Sequence, residues 1–180
     1  SVLVLLLERV TIMKNLMLGV ILSVTLLLVG CPVQTQPPVY SEYEPILADR
    51  STLNSISFSA AIPVNTTGKI YSYNNYILIN ELNNGYHIID NSDPTKPVNI
   101  GFLKIVASRD VVVRNNILYS DNASDLISVD VSDLAHPTII SRTENIFPMQ
   151  DPPDNLPLLP EYVVNNRPPN TVIIEWRKRQ

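Results

Sequence analysis

The fold is decided by residues 71–100, which read YSYNNYILINELNNGYHIIDNSDPTKPVNI, and by residues 111–140, which read VVVRNNILYSDNASDLISVDVSDLAHPTII. The two stretches align without a gap at an offset of 40 and share eight identical residues. The identical pairs are Asn75/Asn115, Ile77/Ile117, Leu78/Leu118, Asp90/Asp130, Ser92/Ser132, Asp93/Asp133, Pro97/Pro137 and Ile100/Ile140. An internal repeat near 40 residues with several short strands per unit is typical of propeller blades.

Each repeat contains four short runs of β-branched and aromatic residues, separated by turns rich in Asn, Gly and Pro. Asn and Gly tolerate the positive φ of tight hairpin turns, so the runs are predicted to pair as antiparallel strands. We therefore predict an all-β protein with at least two propeller-like antiparallel blades of about 40 residues. The predicted strands are Lys69–Tyr73, Tyr76–Leu82, Tyr86–Ile89, Val98–Leu103, Val111–Val113, Ile117–Asp121, Leu126–Asp130 and Thr138–Arg142.

The chain before the repeats begins with a predicted export signal, which we expect to be helical. Residues 13–30 have a basic start at Lys14 and an apolar run too short for a comfortable membrane span, which indicates a cleaved signal peptide. Residues 1–12 lack an initiating Met and are interpreted as upstream mistranslation. An alternative is a longer hydrophobic anchor beginning at Val2.

The end of the signal, Leu28-Val29-Gly30-Cys31, resembles a bacterial lipobox. The resemblance implies that Cys31 is acylated, becomes the first residue of the mature protein and holds it to membrane lipid. The alternative is that Cys31 is a small residue ending an uncleaved transmembrane helix. Pro32 follows where an Asp tends to retain lipoproteins in the inner membrane, so the resemblance favours the outer membrane of a bacterial envelope.

The segments around the repeats are predicted from their proline content. Residues 31–67 should be a lipidated cysteine, an extended tether to Pro45 and a lead-in strand between Ile46 and Asn65. The repeats occupy residues 68–145. Residues 146–180 should form a proline-rich loop followed by a terminal strand at Thr171–Trp176.

The residues Tyr86-His87-Ile88-Ile89-Asp90 with the Ser-Asp and Pro that follow resemble the LVIVD repeat, as do Leu126–Asp130 and their own Ser-Asp and Pro. The LVIVD family consists of bacterial surface proteins thought to form β-propellers, and the resemblance implies no defined activity. Propellers typically need four to eight blades, so two repeats predict the amino-terminal part of a longer protein. The alternative is a small open structure with partial blades at both ends.

The repeated turn residues are candidate site residues: Asp90, Ser92, Asp93, Pro97, Asp130, Ser132, Asp133 and Pro137. Their carboxylates could hold Ca²⁺, but calcium is usually coordinated by six to eight oxygen ligands, and these turns offer fewer. The favoured interpretation is that Asp and Ser hydrogen-bond the turn backbone. We predict no metal, cofactor or catalytic residue.

Other features of the sequence favour a binding protein or a structural protein. The net charge of −4 carries no basic patch except Arg177 to Arg179, which argues against nucleic-acid binding. His87 lies between two apolar strand residues, which favours a solvated face. Strand tyrosines are expected to pack between sheets, although they could line a protein or carbohydrate surface. We predict a binding or structural envelope protein; a hydrolase or carbohydrate-processing enzyme with its active site in missing blades is the alternative.

Overall fold

A computed structural model of the protein describes residues 9, 11, 13–17 and 36–180. The chain divides into two units, Ser1–Pro38 and Val39–Gln180. In the first unit, residues 9, 11 and 13–17 are helical, and the remainder of the predicted signal peptide with its lipobox lies outside the described residues. No helix within the described residues has the length and apolarity needed to cross a bilayer.

The second unit is built of eleven strands, all paired antiparallel. Short 3₁₀ turns lie at Arg50–Asn54 and Pro160–Tyr162. The strands are β1 Tyr43–Asp49, β2 Ile56–Ser59, β3 Thr67–Tyr73, β4 Tyr76–Glu81, β5 Gly85–Asp90, β6 Val98–Ile105, β7 Val111–Arg114, β8 Ile117–Asn122, β9 Asp125–Asp130, β10 Thr138–Thr143 and β11 Thr171–Lys178.

Each repeat forms one four-stranded meander, which we call blade 1 (β3 to β6) and blade 2 (β7 to β10). Asparagines take the positive φ that the hairpin turns need, with Asn74 at 51° in blade 1 and Asn115 and Asn116 at 52° and 60° in blade 2. The predicted all-β class with propeller-like antiparallel blades of about 40 residues is confirmed.

The ungapped offset of 40 is wrong for the first half of the repeat. Tyr73 pairs with Tyr76 across the first turn of blade 1, and the corresponding pair in blade 2 is Arg114 with Ile117. Tyr76 of β4 therefore corresponds to Ile117, 41 positions later, whereas Gly85 of β5 corresponds to Asp125, 40 positions later. The difference arises because the loop between β8 and β9 is one residue shorter than the loop between β4 and β5.

This register decides which faces of the blades meet. In blade 1, the face that carries Leu78 and Tyr86 is called the front, and the opposite face is called the back. The corresponding faces of blade 2 take the same names. The front of blade 1 packs on the back of blade 2, where Leu118 and Ile127 lie. Their shared core consists of Leu78, Tyr86, Ile88, Leu103 and Ile105 from blade 1 and Val111, Val113, Leu118, Ile127 and Val129 from blade 2. Corresponding faces thus point the same way in both blades, as stacked repeats require.

The segment before blade 1 adds a strand to its outer edge and then crosses its back. β2 pairs with β6, and the ring of Phe58 lies over Gly101, the glycine of β6. Residues 60–66 then pass from this edge to β3 at the opposite edge. On the way, the Ile62 carbonyl accepts a hydrogen bond from Asn99 Nδ2 at 3.3 Å. One lead-in strand was predicted here; this segment instead holds β2 and most of β1.

β1 and β11 form a separate two-stranded sheet. β1 begins at Tyr43, so the predicted tether to Pro45 extends too far. Pro45 is accommodated because a two-stranded ribbon leaves alternate N–H groups without a partner strand. Ser41 fastens the start of β1, since its hydroxyl donates to Asp154 at 2.9 Å and its N–H to the Pro157 carbonyl at 2.8 Å. The proline-rich loop is therefore held at Asp154 and Pro157 by the start of the folded unit.

Candidate functional site

The repeated aspartates cap the turn between the third and fourth strands of each blade. Asp90 Oδ1 accepts from the Ser92 N–H at 2.8 Å, and Asp130 Oδ1 accepts from the Ser132 N–H at 2.9 Å. Hydrogen bonds from these serines hold the pKa of both carboxyl groups below the ordinary value of 3.8. Each aspartate therefore fixes the chain just after its strand ends.

The second aspartate of each turn caps the next residues. Asp93 Oδ1 accepts from the N–H and the hydroxyl of Thr95 at 3.0 and 2.7 Å. Asp133 accepts from the Ala135 N–H at 2.9 Å and lies 2.8 Å from His136 Nδ1. Ser92 and Ser132 contribute their backbone N–H groups, and Pro97 and Pro137 lead into the fourth strands. Among the described residues, no three His, Cys, Asp or Glu side chains converge as metal ligands.

His87 was predicted on a solvated face, and this is wrong, because its side chain is fully buried on the back of blade 1. The crossing segment is bonded to Glu81 beside it, through the N–H groups of Asn65 and Thr66. His87 Nε2 lies 3.0 Å from Glu81 Oε2, and the ring stands 5.0 Å from that of Phe102. Burial would raise the pKa of Glu81, but the N–H groups of Asn65 and Thr66 and the contact with His87 outweigh it and lower that pKa. This pair fastens the crossing segment to the blade.

Asp125 is a second buried carboxylate, at the position where blade 1 has Gly85. It accepts from Arg50 Nη2 at 2.6 Å, from Arg142 Nη1 at 2.7 Å and from the Asn145 N–H at 3.0 Å. Arg142 Nη2 also donates to the Leu53 carbonyl at 2.9 Å. The cluster joins the first 3₁₀ turn to the outer strands of blade 2.

A cleft of about 680 Å³ opens at the front of blade 2, at the end that holds the β8–β9 loop. Tyr119 and Leu126 of the front face line it, as does Asp121. The segment after blade 2 forms another wall, with Phe147 and Gln150. That segment is placed by the Phe147 N–H, which donates to the Ser124 carbonyl at 2.9 Å.

The polar groups of the cleft come from both blades. Asp121 Oδ1 accepts from the N–H groups of Arg109 and Asp110, each at 2.8 Å. Burial raises the pKa of Asp121, and these hydrogen bonds oppose the shift without cancelling it. Lys69 forms an ion pair with Asp110 at the rim. Gln150 Nε2 is buried and has no hydrogen-bond partner among the described residues.

Sequence reasoning missed the residues that shape the cleft and the buried pairs. One signal was available, because an acidic residue lies at or one position before the end of the second strand in each repeat, Glu81 and Asp121. Gln150 carried no signal, since its position depends on how the proline-rich segment folds back. Of the predicted site residues, Leu28, Val29, Gly30 and Cys31 lie outside the described residues.

Comparison with protein-family models matches the LVIVD repeat at residues 66–103 and again at residues 107–144. The two matches begin 41 positions apart, which is the offset that the pairing of β3 and β4 requires. Comparison with curated proteins and with solved structures gives no significant match. This chain carries two LVIVD repeats, and each repeat is one four-stranded antiparallel blade.

Proposed function

We propose that this protein is a lipid-anchored component of a bacterial cell envelope whose LVIVD repeats bind a ligand in the cleft of blade 2. The observation that carries the binding role is the cleft itself. Its volume of about 680 Å³ is in the range of ligand sites, and it combines apolar walls with a few polar groups. Gln150 supplies a buried amide donor that no described protein group satisfies.

The chemistry of the cleft supports binding more than catalysis. Ser120 is the serine that lines the cleft, and its Oγ already lies 3.1 and 2.8 Å from the carbonyl oxygens of Asp110 and Asp121, either of which accepts its proton. Neither histidine lines the cleft, because His87 is buried behind blade 1 and His136 lies in an exposed turn. A nucleophile paired with a base, which covalent catalysis needs, is therefore missing from this cleft.

The anchor is supported by the lipobox resemblance at Cys31 and by where the fold begins. The first tertiary hydrogen bonds of the second unit are made by Ser41. Nine residues, three of them prolines, separate Cys31 from Ser41, and proline-rich linkers in general act as spacers of about 3 Å per residue. Two or three acyl chains on Cys31 would hold the domain near the bilayer surface without a spanning helix.

The anchor is tested by feeding labelled palmitate to bacteria that express the full gene. We expect label in the wild-type protein and none in Cys31→Ala. Pro32→Asp is the matched control, because it should keep the label and move the protein from the outer-membrane to the inner-membrane fraction. Label that persists in Cys31→Ala would refute the lipid anchor, and an unchanged fraction for Pro32→Asp would refute the outer-membrane assignment.

A further inference from the structure

The front of blade 2 differs in chemistry from the front of blade 1 at corresponding positions. Leu78 corresponds to Tyr119, Ile88 to Ser128 and Leu103 to Thr143. In blade 1 these aliphatic side chains bury against blade 2. In blade 2 the serine hydroxyls of Ser128 and Ser141 lie 2.7 Å apart instead. At these three positions the front of blade 2 therefore carries hydroxyl and aromatic groups where blade 1 carries aliphatic ones, whereas Leu126 stands where blade 1 has Tyr86. Of these residues of blade 2, Tyr119 and Leu126 line the cleft.

The cleft at the front of blade 2 contains a hydrogen-bond acceptor and hydrogen-bond donors that no described protein group uses. Asp121 Oδ1 accepts hydrogen bonds from two backbone N–H groups, and no described protein group donates to its Oδ2. The guanidinium of Arg109 makes no ion pair within the described residues, and Gln150 Nε2 has no acceptor. One free carboxylate oxygen and the planar Arg109 guanidinium thus line one cavity. A ligand with hydroxyl groups can both donate to and accept from such a set.

Two aromatic rings stand beside these polar groups. Tyr119 and Phe147 are 38% and 40% exposed as whole residues, and both line the cleft. Exposed rings in a concave site offer flat apolar surfaces against which the C–H face of a sugar ring can stack. Aromatic rings and planar polar side chains together match the surface of a sugar chain, which alternates C–H faces with hydroxyl edges.

The charges around the cleft balance. Lys69 and Arg109 contribute two positive charges, and Asp110 and Asp121 contribute two negative ones. Lys69 and Asp110 are already paired with each other. Such a site has no net charge with which to attract a strongly anionic or cationic ligand.

We propose that the cleft at the front of blade 2 binds a neutral oligosaccharide. Tyr119 and Phe147 stack on the sugar rings, Asp121 Oδ2 accepts from a hydroxyl, and the Arg109 guanidinium donates to ring or hydroxyl oxygens. The inference rests on the proposed binding role of this domain and names the ligand class for it.

The test is saturation-transfer difference NMR on the acylated full chain in phosphatidylcholine vesicles, which avoids glycoside detergents. The probes are maltohexaose, cellohexaose, chitohexaose and xylohexaose, with hexagalacturonate and hexaalanine as charged and peptide comparisons. We expect saturable transfer to the ring C–H protons of at least one neutral hexasaccharide. Tyr119→Ala should weaken its binding at least about tenfold. Tyr76→Ala is the matched control, since Tyr76 is 37% exposed but lies outside the cleft, and it should bind as the wild type does.

The inference is overturned if none of the four neutral hexasaccharides shows transfer, if hexagalacturonate or hexaalanine binds more tightly than all of them, or if Tyr119→Ala binds like the wild type. If hexaalanine binds and Tyr119→Ala abolishes that binding, the cleft remains a binding site and only the assignment of a sugar ligand is refuted. Palmitate labelling of Cys31 is measured on the same preparations, so failure of the anchor and failure of the ligand assignment are distinguished.

Discussion

The carboxylate of Asp125 joins three parts of the folded unit, and Asp125→Asn tests whether that junction stabilises the fold. Its side chain is fully buried and accepts from both arginines and from the backbone at Asn145. The substitution keeps the shape but removes the charge and turns an amide NH₂ toward a guanidinium. Removing one partner of a buried ion pair costs about 3–5 kcal/mol.

The partners of Asp125 reduce that cost. The side chains of Arg50 and Arg142 are 23% and 16% exposed, so water reaches both. Glu144 lies 3.4 Å from Arg50 and can take over part of its pairing. We therefore expect a loss of about 3 kcal/mol in the free energy of unfolding. For a unit of this size that corresponds to a fall in Tm of about 10 °C.

The loss is measured by urea unfolding of the full chain, followed by far-ultraviolet circular dichroism at a constant m-value. Asp133→Asn is the control, because that carboxylate is 65% exposed and its loss should change the free energy of unfolding little. If Asp125→Asn lowered the free energy of unfolding no more than the control does, the reasoning would be refuted. The fold would then be equally stable with and without the carboxylate between the two arginines.

The same variant should also change how stability depends on pH. Burial by itself would raise the pKa of Asp125, but the hydrogen bonds from Asn145, Arg142 and Arg50 outweigh it and hold the pKa below 3.8. A lowered pKa gives stability that is complete above the ordinary value and is lost as the pH falls through the folded-state pKa. The difference between wild type and Asp125→Asn should therefore be constant near neutral pH and shrink below about pH 4. A difference that stays constant into that acid range would contradict the pairing.

Two further substitutions test the packing between and beside the blades. Gly101→Ala should cost about 1–3 kcal/mol, because the added Cβ would stand 2.1 Å from Phe58 Cζ. A double-mutant cycle with Phe58→Ala should show that most of this cost depends on the ring; additive effects would exclude the clash. Tyr86→Phe should cost about 1–2 kcal/mol, because the buried hydroxyl donates to the Asp110 carbonyl at 2.7 Å and lies 2.8 Å from Ser120 Oγ. Urea midpoints equal to the wild type would show that neither contact matters.

Sequence patterns predicted the strands because turn chemistry is local. Of the nine non-glycine residues with positive φ in the described part of the chain, seven are asparagines, and these mark turns that a sequence can reveal. The other two, Ala107 and Ala123, gave no signal, because their conformation is imposed by contacts between loops. The Ala107 N–H donates to the Asn83 carbonyl at 2.6 Å, and the Ala123 N–H donates to the Ala107 carbonyl at 3.0 Å.

The position of His87 shows why burial could not be predicted from alternation. A strand has two faces, and the pattern around His87 identified one of them as apolar. The other face is also buried at His87, next to Glu81, which holds the crossing segment through the N–H groups of Asn65 and Thr66 at 2.9 and 2.7 Å. The wall of the cleft formed by the segment after blade 2 is likewise a tertiary feature, placed by one backbone hydrogen bond at Phe147.

The identities between the two repeats identify their shared turn, and the differences identify their separate roles. Asn75/Asn115, Ile77/Ile117 and Leu78/Leu118 are not structural equivalents, because β4 and β8 correspond at an offset of 41. Of the five remaining identities, Asp90/Asp130 ends the third strand and three more lie in the turn that follows it, where each blade needs the same capping. On the faces the repeats diverge, since the back of blade 1 meets the crossing segment and the front of blade 2 opens into the cleft. A search for function in a two-repeat array should therefore begin at corresponding positions whose chemistry differs.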